Sequence, residues 1–425
     1  MEIETLAELS PSRRHALFDR DAGIDAIRKD VDAIIDRVST EGDAALRAYA
    51  DEFDDVQLGN IAVGDNQLER AVDTLDPALR DAIEGAIENV RTYHERQVRQ
   101  DWTLEQSGRT LGRRYRPIER VGAYVPGGTA AYPSSAIMTV VPAVVAGVEE
   151  IVVTTPPGEP LNDITLAALS LAGADEVYLA GGAQAIAALA YGTETIPRVA
   201  KIVGPGNRWV TAAKAAVRND VAIDFLAGPS EILVIADDSA IPSYIAADLL
   251  AQAEHGPRSP CVLVTDEREL AEAVMAGIEH QLQSLDRAAT ARKALSNDAS
   301  GLFLARSMSE AIGFAETYAP EHLSIQADNP SAVLDRIPSA GSAFLGSYSP
   351  VAAGDYASGT NHVLPTTGVA RVRGGLSVED FIRATSVQQL DSEGLDDLAP
   401  IITRLAEAEG LSAHAESVRV RQDDN

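Results

Sequence analysis

The sequence predicts an α/β protein: two incomplete Rossmann-like α/β domains on parallel sheets, plus small helical N- and C-terminal segments. Three observations carry this. Continuous apolar, β-rich runs alternate with alanine-rich helical stretches, the pattern of parallel βαβ units whose sheet is covered on both faces. The alternation comes in two successive series. The flanks space their apolar residues at three and four, as amphipathic helices do.

From about Asp21 to Glu105 the chain reads as helix, in DAIRKDVDAIIDRV and PALRDAIEGAIENVRTYHERQV. A strand-and-glycine passage, RVGAYVPGGTA, follows. From there to about Asp237, EEIVVTTPPG, DEVYLAGG, AKIVGPGN and SEILVIADD read as strands, and TLAALSLAG, AQAIAALAYG and RWVTAAKAAVRND as their helices. The second series is IPSYIAADLLAQAEHG (helix), CVLVTD (strand), RELAEAVMAGIEHQLQSL (helix), then HLSIQ and SAFLGS (strands). SPVAAGDYASGTNHVLPTTG reads as polar, glycine-rich loop. The tail from about Ser377 reads as helix, in VEDFIRATSVQQL, LAPIITRLAEAEG and LSAHAESVRV. The expected domains are an N-terminal segment 1–20, a discontinuous first α/β domain 21–123 and 232–376, a second α/β domain 124–231, and a C-terminal helical segment 377–425.

The 425 residues carry a net charge of −29. Nucleic acid and anionic membranes need a basic face, so both are excluded as partners. The lysines are Lys29, Lys201, Lys214 and Lys293 alone. An acidic, lysine-poor chain suits a salty cytosol, where its self-repulsion is screened. The single cysteine, Cys261, excludes an internal disulfide and a thiolate-rich zinc site, and its place in PCVLVTD reads as a buried strand. The N-terminus lacks the apolar core of a signal peptide. The longest apolar stretch, AIMTVVPAVVAGV, is interrupted by Pro142 and too short to span a bilayer. A soluble, cytoplasmic protein is expected.

Ligands of doubly wound sheets sit beyond the carboxyl ends of strands. The loops at Gly127 and Gly128, Gly181 to Gln184 and Gly204 to Asn207 fall at such ends, and GPGN precedes a helix whose free N–H groups suit an anion. None is G-x-G-x-x-G, and each also reads as a tight turn. Of seven histidines, His15, His94 and His280 lie in polar stretches and read as solvated. The others sit beside a second polar group at an element end. Gln252 and His255 are three apart before Gly256-Pro257, either a ligand pair on one helix face or a plain helix terminus with a capping histidine. Glu321 and His322 follow Pro320 and open a strand, as two proton acceptors or as a salt-bridged turn. Asp355, Asn361 and His362 share a loop that is either functional or a flexible surface. Glu409 and His414 flank Gly410, a helix break or an exposed turn. Ser230 and Glu231 follow a Gly-Pro turn; Ser230 can hydrogen-bond a ligand but is no G-x-S-x-G nucleophile.

Taken together, AYVPGG, GGAQA, GPGN, AGPSE, QAEHG, APEHL, GDYASGTNHVLPT and GLSAH occur in the order seen in histidinol dehydrogenases. The resemblance runs from about Arg120 to His414, with no departure at the motif positions, and GDYASGTNHVLPT makes it specific. It implies a zinc-dependent, NAD-linked alcohol and aldehyde oxidoreductase of histidine biosynthesis, oxidising L-histidinol through L-histidinaldehyde to L-histidine. One zinc per subunit would be held by Gln252, His255, Asp355 and His414. Ser230, His362 and Glu409, with those ligands and His322, would contact substrate. Tyr124, Gln184 and Asn207, in the second α/β domain, would contact two NAD+ in turn. The family is a homodimer whose C-terminal segment crosses to the neighbour, so His414 and Glu409 would complete the partner's site.

On the residues themselves, hydride removal from an alcohol carbon needs a base for the hydroxyl proton, and His322 is the candidate. The aldehyde must then add water, and Glu321 is the candidate to activate it. A thiohemiacetal on Cys261 is disfavoured by its strand position. Two alternatives are a zinc-dependent hydrolase of a small polar substrate with Glu321 as base, and a zinc-stabilised binding protein; the first lacks H-E-x-x-H and the second a cysteine-rich closed site. The acidic surface predicts that the melting temperature rises with KCl concentration; a melting temperature indifferent to salt contradicts the salty-cytosol reading.

Overall fold

The structure, a computed structural model, describes residues 2–18, 20, 23–127, 131–158 and 161–423. Gly128 and the expected domain start at Asp21 lie outside the described residues. Two compact units are present: Met1–Gln97 with Ile118–Phe381, and Val98–Pro117 with Ile382–Asn425.

The strands are β1 Ile3–Thr5, β2 Trp102–Gln106, β3 Arg109–Pro117, β4 Arg120–Tyr124, β5 Glu150–Thr155, β6 Glu176–Leu179, β7 Lys201–Val203, β8 Ala222–Ile223, β9 Ile232–Ala236, β10 Cys261–Thr265, β11 Gly301–Leu304, β12 His322–Gln326, β13 Ser342–Leu345 and β14 Ile382–Leu390. The first unit holds a six-stranded sheet in the order β1-β11-β10-β9-β12-β13 and a five-stranded sheet in the order β6-β5-β4-β7-β8. Every pairing in both is parallel. Parallel strands are buried on both faces, which is why they read as unbroken apolar runs. Alternation divides them: Leu233, Ile235, Val262 and Val264 face one core, and Ile232, Val234, Cys261 and Leu263 the other. Cys261 is fully buried, as expected, and burial pushes its thiol up. The apolar stretch around Pro142 is a helix, Pro133–Ala146, buried from Ser135 to Ala143. Among the described residues no helix is long and apolar enough to cross a membrane.

Several expectations are corrected. The N-terminal segment is not only helical: β1 pairs with β11, some 300 positions on, and forms the edge of the six-stranded sheet. A three-residue strand carries no periodicity of its own. The helices of residues 28–95, grouped above with the first α/β domain, pack on the five-stranded sheet. Val31, Ile34, Ile35 and Val38 of helix Arg28–Glu41 join Ile186, Leu189 and Ile202, while Ile83, Ile87 and Val90 of helix Pro77–Glu95 join the opposite face. A boundary at 123/124 would cut β4. Helix does not extend to Glu105, since β2 covers 102–106, and VEDFIRATSVQQL is not helix: Val378–Phe381 is a 3-10 turn and β14 pairs antiparallel with β3 over its length. These three antiparallel strands, in the order β14-β3-β2, belong to the second unit with the helices Ser392–Ala408 and Ser412–Asp423. Cross-strand pairing across more than 260 positions overrides a local helical spacing there. His94 is not solvated: it is fully buried, its Nδ1–H donates to the Val90 carbonyl at 2.7 Å, and burial lowers its pKa.

The GPGN turn after β7 is fixed by one of the four lysines. Lys214 Nζ donates to the Gly204 carbonyl at 2.5 Å and to Asp224 at 2.7 Å, and Asp224 accepts the Gly204 N–H at 2.8 Å. Gly204 has φ +110°, and a Cβ there would collide with the Tyr124 carbonyl. Removing one partner of a buried ion pair costs about 3–5 kcal/mol. Lys214→Met is therefore expected to lower unfolding stability by about that much in urea titration, and Asp224→Leu added to it to recover part of the loss; a single variant as stable as the parent contradicts the role of the pair.

Candidate active site

The amino ends of β9 and β12 lie side by side, because His322 pairs in register with Ile232. This brings Ser230-Glu231 against Glu321-His322. The Glu231 N–H donates to Glu321 Oε2 at 2.7 Å, and the Glu321 N–H to Glu231 Oε1 at 3.3 Å. The Glu231 carbonyl accepts His322 Nδ1–H at 3.0 Å. A carbonyl can only accept, so the neutral imidazole carries its proton on Nδ1 and its lone pair on Nε2. That Nε2 is buried without a hydrogen-bond partner, 3.7 Å from Asp355 Oδ1. His322 is 3% and Glu321 5% exposed, so both are poised in a desolvated setting.

The other expected residues gather here in part. Gln252, on the last turn of helix Pro242–Ala253 and buried, donates from Nε2 to Ser230 Oγ at 2.9 Å, and Ser230 in turn hydrogen-bonds Glu321. Its Oε1 has no partner. His255 follows that helix, exposed beside the Gly256-Pro257 turn, and lines the neighbouring cavity. Asp355 is in a short helix, Val351–Tyr356, rather than in open loop, and its carbonyl accepts His362 Nδ1–H at 2.9 Å. His362, like His322, thus presents Nε2. Asn361 is structural, donating to the Met138 carbonyl at 2.8 Å. Glu409 and His414 belong to the second unit and are exposed on its helical segment.

Burial pushes the Glu321 carboxyl well above the usual range, with the Glu231 and Asp355 charges adding and the hydrogen bonds from Glu231 and Ser230 opposing. Burial likewise raises Asp355 and lowers His322. Gln252 Oε1, His322 Nε2 and the Asp355 carboxylate are all acceptors, and two of these atoms are buried with nothing donating to them. Such a set favours a cation or a substrate carrying N–H and O–H groups. Among the described residues no three His, Cys, Asp or Glu side chains gather as a metal site by themselves. The Gln252 amide oxygen, the His255 imidazole and the Asp355 carboxylate would offer instead an incomplete nitrogen-and-oxygen donor set of the kind that zinc, manganese or cobalt accepts.

A cavity of about 350 Å³ joins part of this cluster to the Gly204 turn. Gly204 and Gly206 line one side, and Ser230, His255, Glu321 and His362 the other. The carboxyl ends of the five-stranded sheet thus meet the amino ends of the six-stranded one; only the first half of this follows the rule used above. On the glycine-loop side, Tyr124 is buried and its hydroxyl accepts the Gly182 N–H at 3.2 Å, with burial pushing its pKa up to about 12. Gln184 is buried on helix Gly182–Tyr191. Asn207 is exposed and caps helix Arg208–Val217 through Oδ1, which leaves its amide N–H groups outward.

Four residues here escaped sequence reasoning: Arg20, Lys214, Asp224 and Asp54. Arg20 donates to Glu231 Oε1 at 2.5 Å, and Asp54, pushed up to about 6 by burial, has a carboxylate oxygen without a partner. Lys214 carried a signal, being a lone lysine inside an alanine-rich helix; the others sit among many like residues.

Burial lowers the His362 pKa from 6.5 to about 4. Above pH 6.5 both folded and unfolded chains leave it neutral and its contribution is complete. As pH falls toward 4 only the unfolded chain gains the proton, and stability declines by up to about 3 kcal/mol. Chelator-treated His362→Gln is expected to show a shallower acid limb between those pH values in urea unfolding; a slope identical to the parent contradicts the neutral, buried imidazole.

A histidinol dehydrogenase family model matches residues 19–422. The histidinol dehydrogenase of Natronomonas pharaonis is 62% identical over 423 residues, and that of Halobacterium salinarum 61% over 425, each match covering 100% of both chains. The crystal structure of histidinol dehydrogenase from Elizabethkingia anophelis superposes with a TM-score of 0.93 at 39% identity, covering 100% of this chain and 98% of that one. These matches give no support to the hydrolase and binding-protein alternatives, and they place the chain in the histidinol dehydrogenase family.

Proposed function

We propose that the protein oxidises L-histidinol to L-histidine by two successive hydride transfers to NAD+. The observation that carries this is the cavity of about 350 Å³ in which Glu321, Ser230, His255 and His362 face the Gly204 loop, with His322 buried next to Glu321. His322 Nε2, with its lone pair free, takes the alcohol proton as hydride leaves the carbon, giving the aldehyde. Glu321 then takes a proton from water, which adds to the aldehyde carbonyl. Loss of hydride and a hydroxyl proton from the hydrate gives the carboxylic acid. Each hydride loss removes two electrons, so two NAD+ are consumed. A carboxylate whose pKa is raised by burial is a stronger base than one in water, which suits Glu321 to this task.

Gln252, His255 and Asp355, with His414 from a second copy of the chain, would hold zinc, and the bound ion would act as a template for the imidazole and amine of the substrate. Ser230, His362 and the second copy's Glu409 would contact the substrate, and Tyr124, Gln184 and Asn207 the cofactor. The shared site is supported by apolar surface on the second unit: Ile401 and Leu405, one helical turn apart, are 58% and 59% exposed, and Trp102 on β2 is 50% exposed. A homodimer would cover them.

Anaerobic incubation of zinc-loaded protein with limiting L-histidinol and excess NAD+ is expected to yield two NADH per substrate, abolished by a chelator. One NADH would mean that oxidation stops at the aldehyde, and none would overturn the reading. His322→Asn should keep its zinc and lose turnover by about 10²–10⁴-fold, the range for a general base. His414→Asn should lower zinc content per chain; unchanged content refutes that ligand.

A further inference from the structure

The most heavily bonded group at the site is Glu231, which the reaction above does not use. Its backbone N–H and side chain engage Glu321, and its carbonyl engages both the N–H and the Nδ1–H of His322, at 3.3 and 3.0 Å. Glu231 is itself held. It is fully buried and takes Arg20 Nη1 at 2.5 Å. Arg20 Nη2 donates to the Tyr318 carbonyl at 2.7 Å, and the guanidinium lies 3.8 Å from the centre of the Tyr318 ring.

Tyr318 ends helix Met308–Tyr318, which turns through Ala319 and Pro320 into Glu321. Ala319 is left-handed, at φ +50°, a conformation unfavourable for alanine that persists only when its surroundings enforce it. On the far side the Gly341 N–H donates to the Pro320 carbonyl at 2.9 Å, and a Cβ at Gly341 would come within 2.6 Å of the Glu321 carbonyl oxygen. The turn that delivers Glu321 is thus strained and gripped from both sides, with Arg20 bridging its start to the Glu231 carboxylate.

We propose that the Arg20–Glu231 ion pair is a positioning device for Glu321, selective for the water-adding half of the reaction. The selectivity follows from which atoms do the holding. His322 is held by the Glu231 carbonyl, which every substitution retains. Glu321 is held in addition at its backbone N–H by the Glu231 side chain, which Arg20 orients, while its carboxylate rests on the Glu231 N–H. Disturbing the pair therefore frees the Glu321 main chain that aims the water-activating carboxylate, and leaves in place the Glu231 carbonyl that aims the imidazole. Arg20 and Glu231 act through Glu321 and touch neither substrate nor cofactor.

The inference rests on the reaction proposed above, and the test separates the two. Zinc-loaded parent, Glu231→Gln and Arg20→Lys are compared by stopped-flow NADH formation, with L-histidinol in single turnover and with L-histidinaldehyde supplied directly. Glu231→Gln keeps a carbonyl acceptor but leaves Arg20 without its counter-charge; Arg20→Lys keeps the charge and loses the second arm to Tyr318. The expected result is aldehyde oxidation slowed about 10- to 100-fold in Glu231→Gln, the first hydride transfer and both KM values within about threefold, and a smaller loss in Arg20→Lys. Aldehyde should accumulate in both variants. Equal slowing of both half-reactions, or of neither, overturns the proposal. Should Glu231→Gln not fold, Arg20→Lys alone decides by the same comparison. A parent that fails to give two NADH per histidinol overturns the reaction instead.

Discussion

The site depends on one reciprocal pairing between segments 90 residues apart, where Glu231 and Glu321 each accept the other's backbone N–H. The pairing is the amino-end extension of the β9–β12 ladder. It brings two buried carboxyl groups together, each with hydrogen bonds and one with a guanidinium. Without those partners, two buried acids so close together could not both ionise. The same ladder turns His322 so that its Nδ1 is spent on a carbonyl and its Nε2 is free. The tautomer is therefore a consequence of strand register: a slip by one residue would send the imidazole to the other face of the sheet.

Around this pairing the two sheets divide the work. The five-stranded sheet offers the carboxyl ends of its strands, with the Gly204 turn held by the Lys214–Asp224 pair, and the six-stranded sheet offers amino ends carrying carboxylates and imidazoles. A cavity between them brings the Gly204 turn together with Ser230, His255, Glu321 and His362. The free polar atoms on the second side are acceptors. Gln252 Oε1 and His322 Nε2 are buried with no donor, a penalty in the isolated chain that a bound cation or a nitrogen-rich substrate would relieve. A chain with −29 net charge further favours cationic over anionic occupants of that end.

Much of this was legible in the residues. The two series of apolar strands and alanine-rich helices returned as two all-parallel sheets, because a strand buried on both faces leaves a local record. Motif order identified the family, and the GPGN, APEH and QAEHG segments fell at the cavity. The errors share one cause. β1 against β11, β3 against β14 and the helices 28–95 against the five-stranded sheet are choices of partner, and IRATSVQQL looked helical until β3 supplied its hydrogen bonds. His94 looked solvated because its neighbours in sequence are polar, although its helix face is not.

The sequence by itself determined which stretches must be buried, which turns need glycine and which side chains can move protons. These are properties of a residue and its near neighbours. The tertiary structure alone decided that Arg20 would reach Glu231, that the Glu231 carbonyl would choose the His322 tautomer and that a lysine would lock the Gly204 turn. Such contacts satisfy buried donors and acceptors across hundreds of positions, and no local periodicity records which distant group will answer.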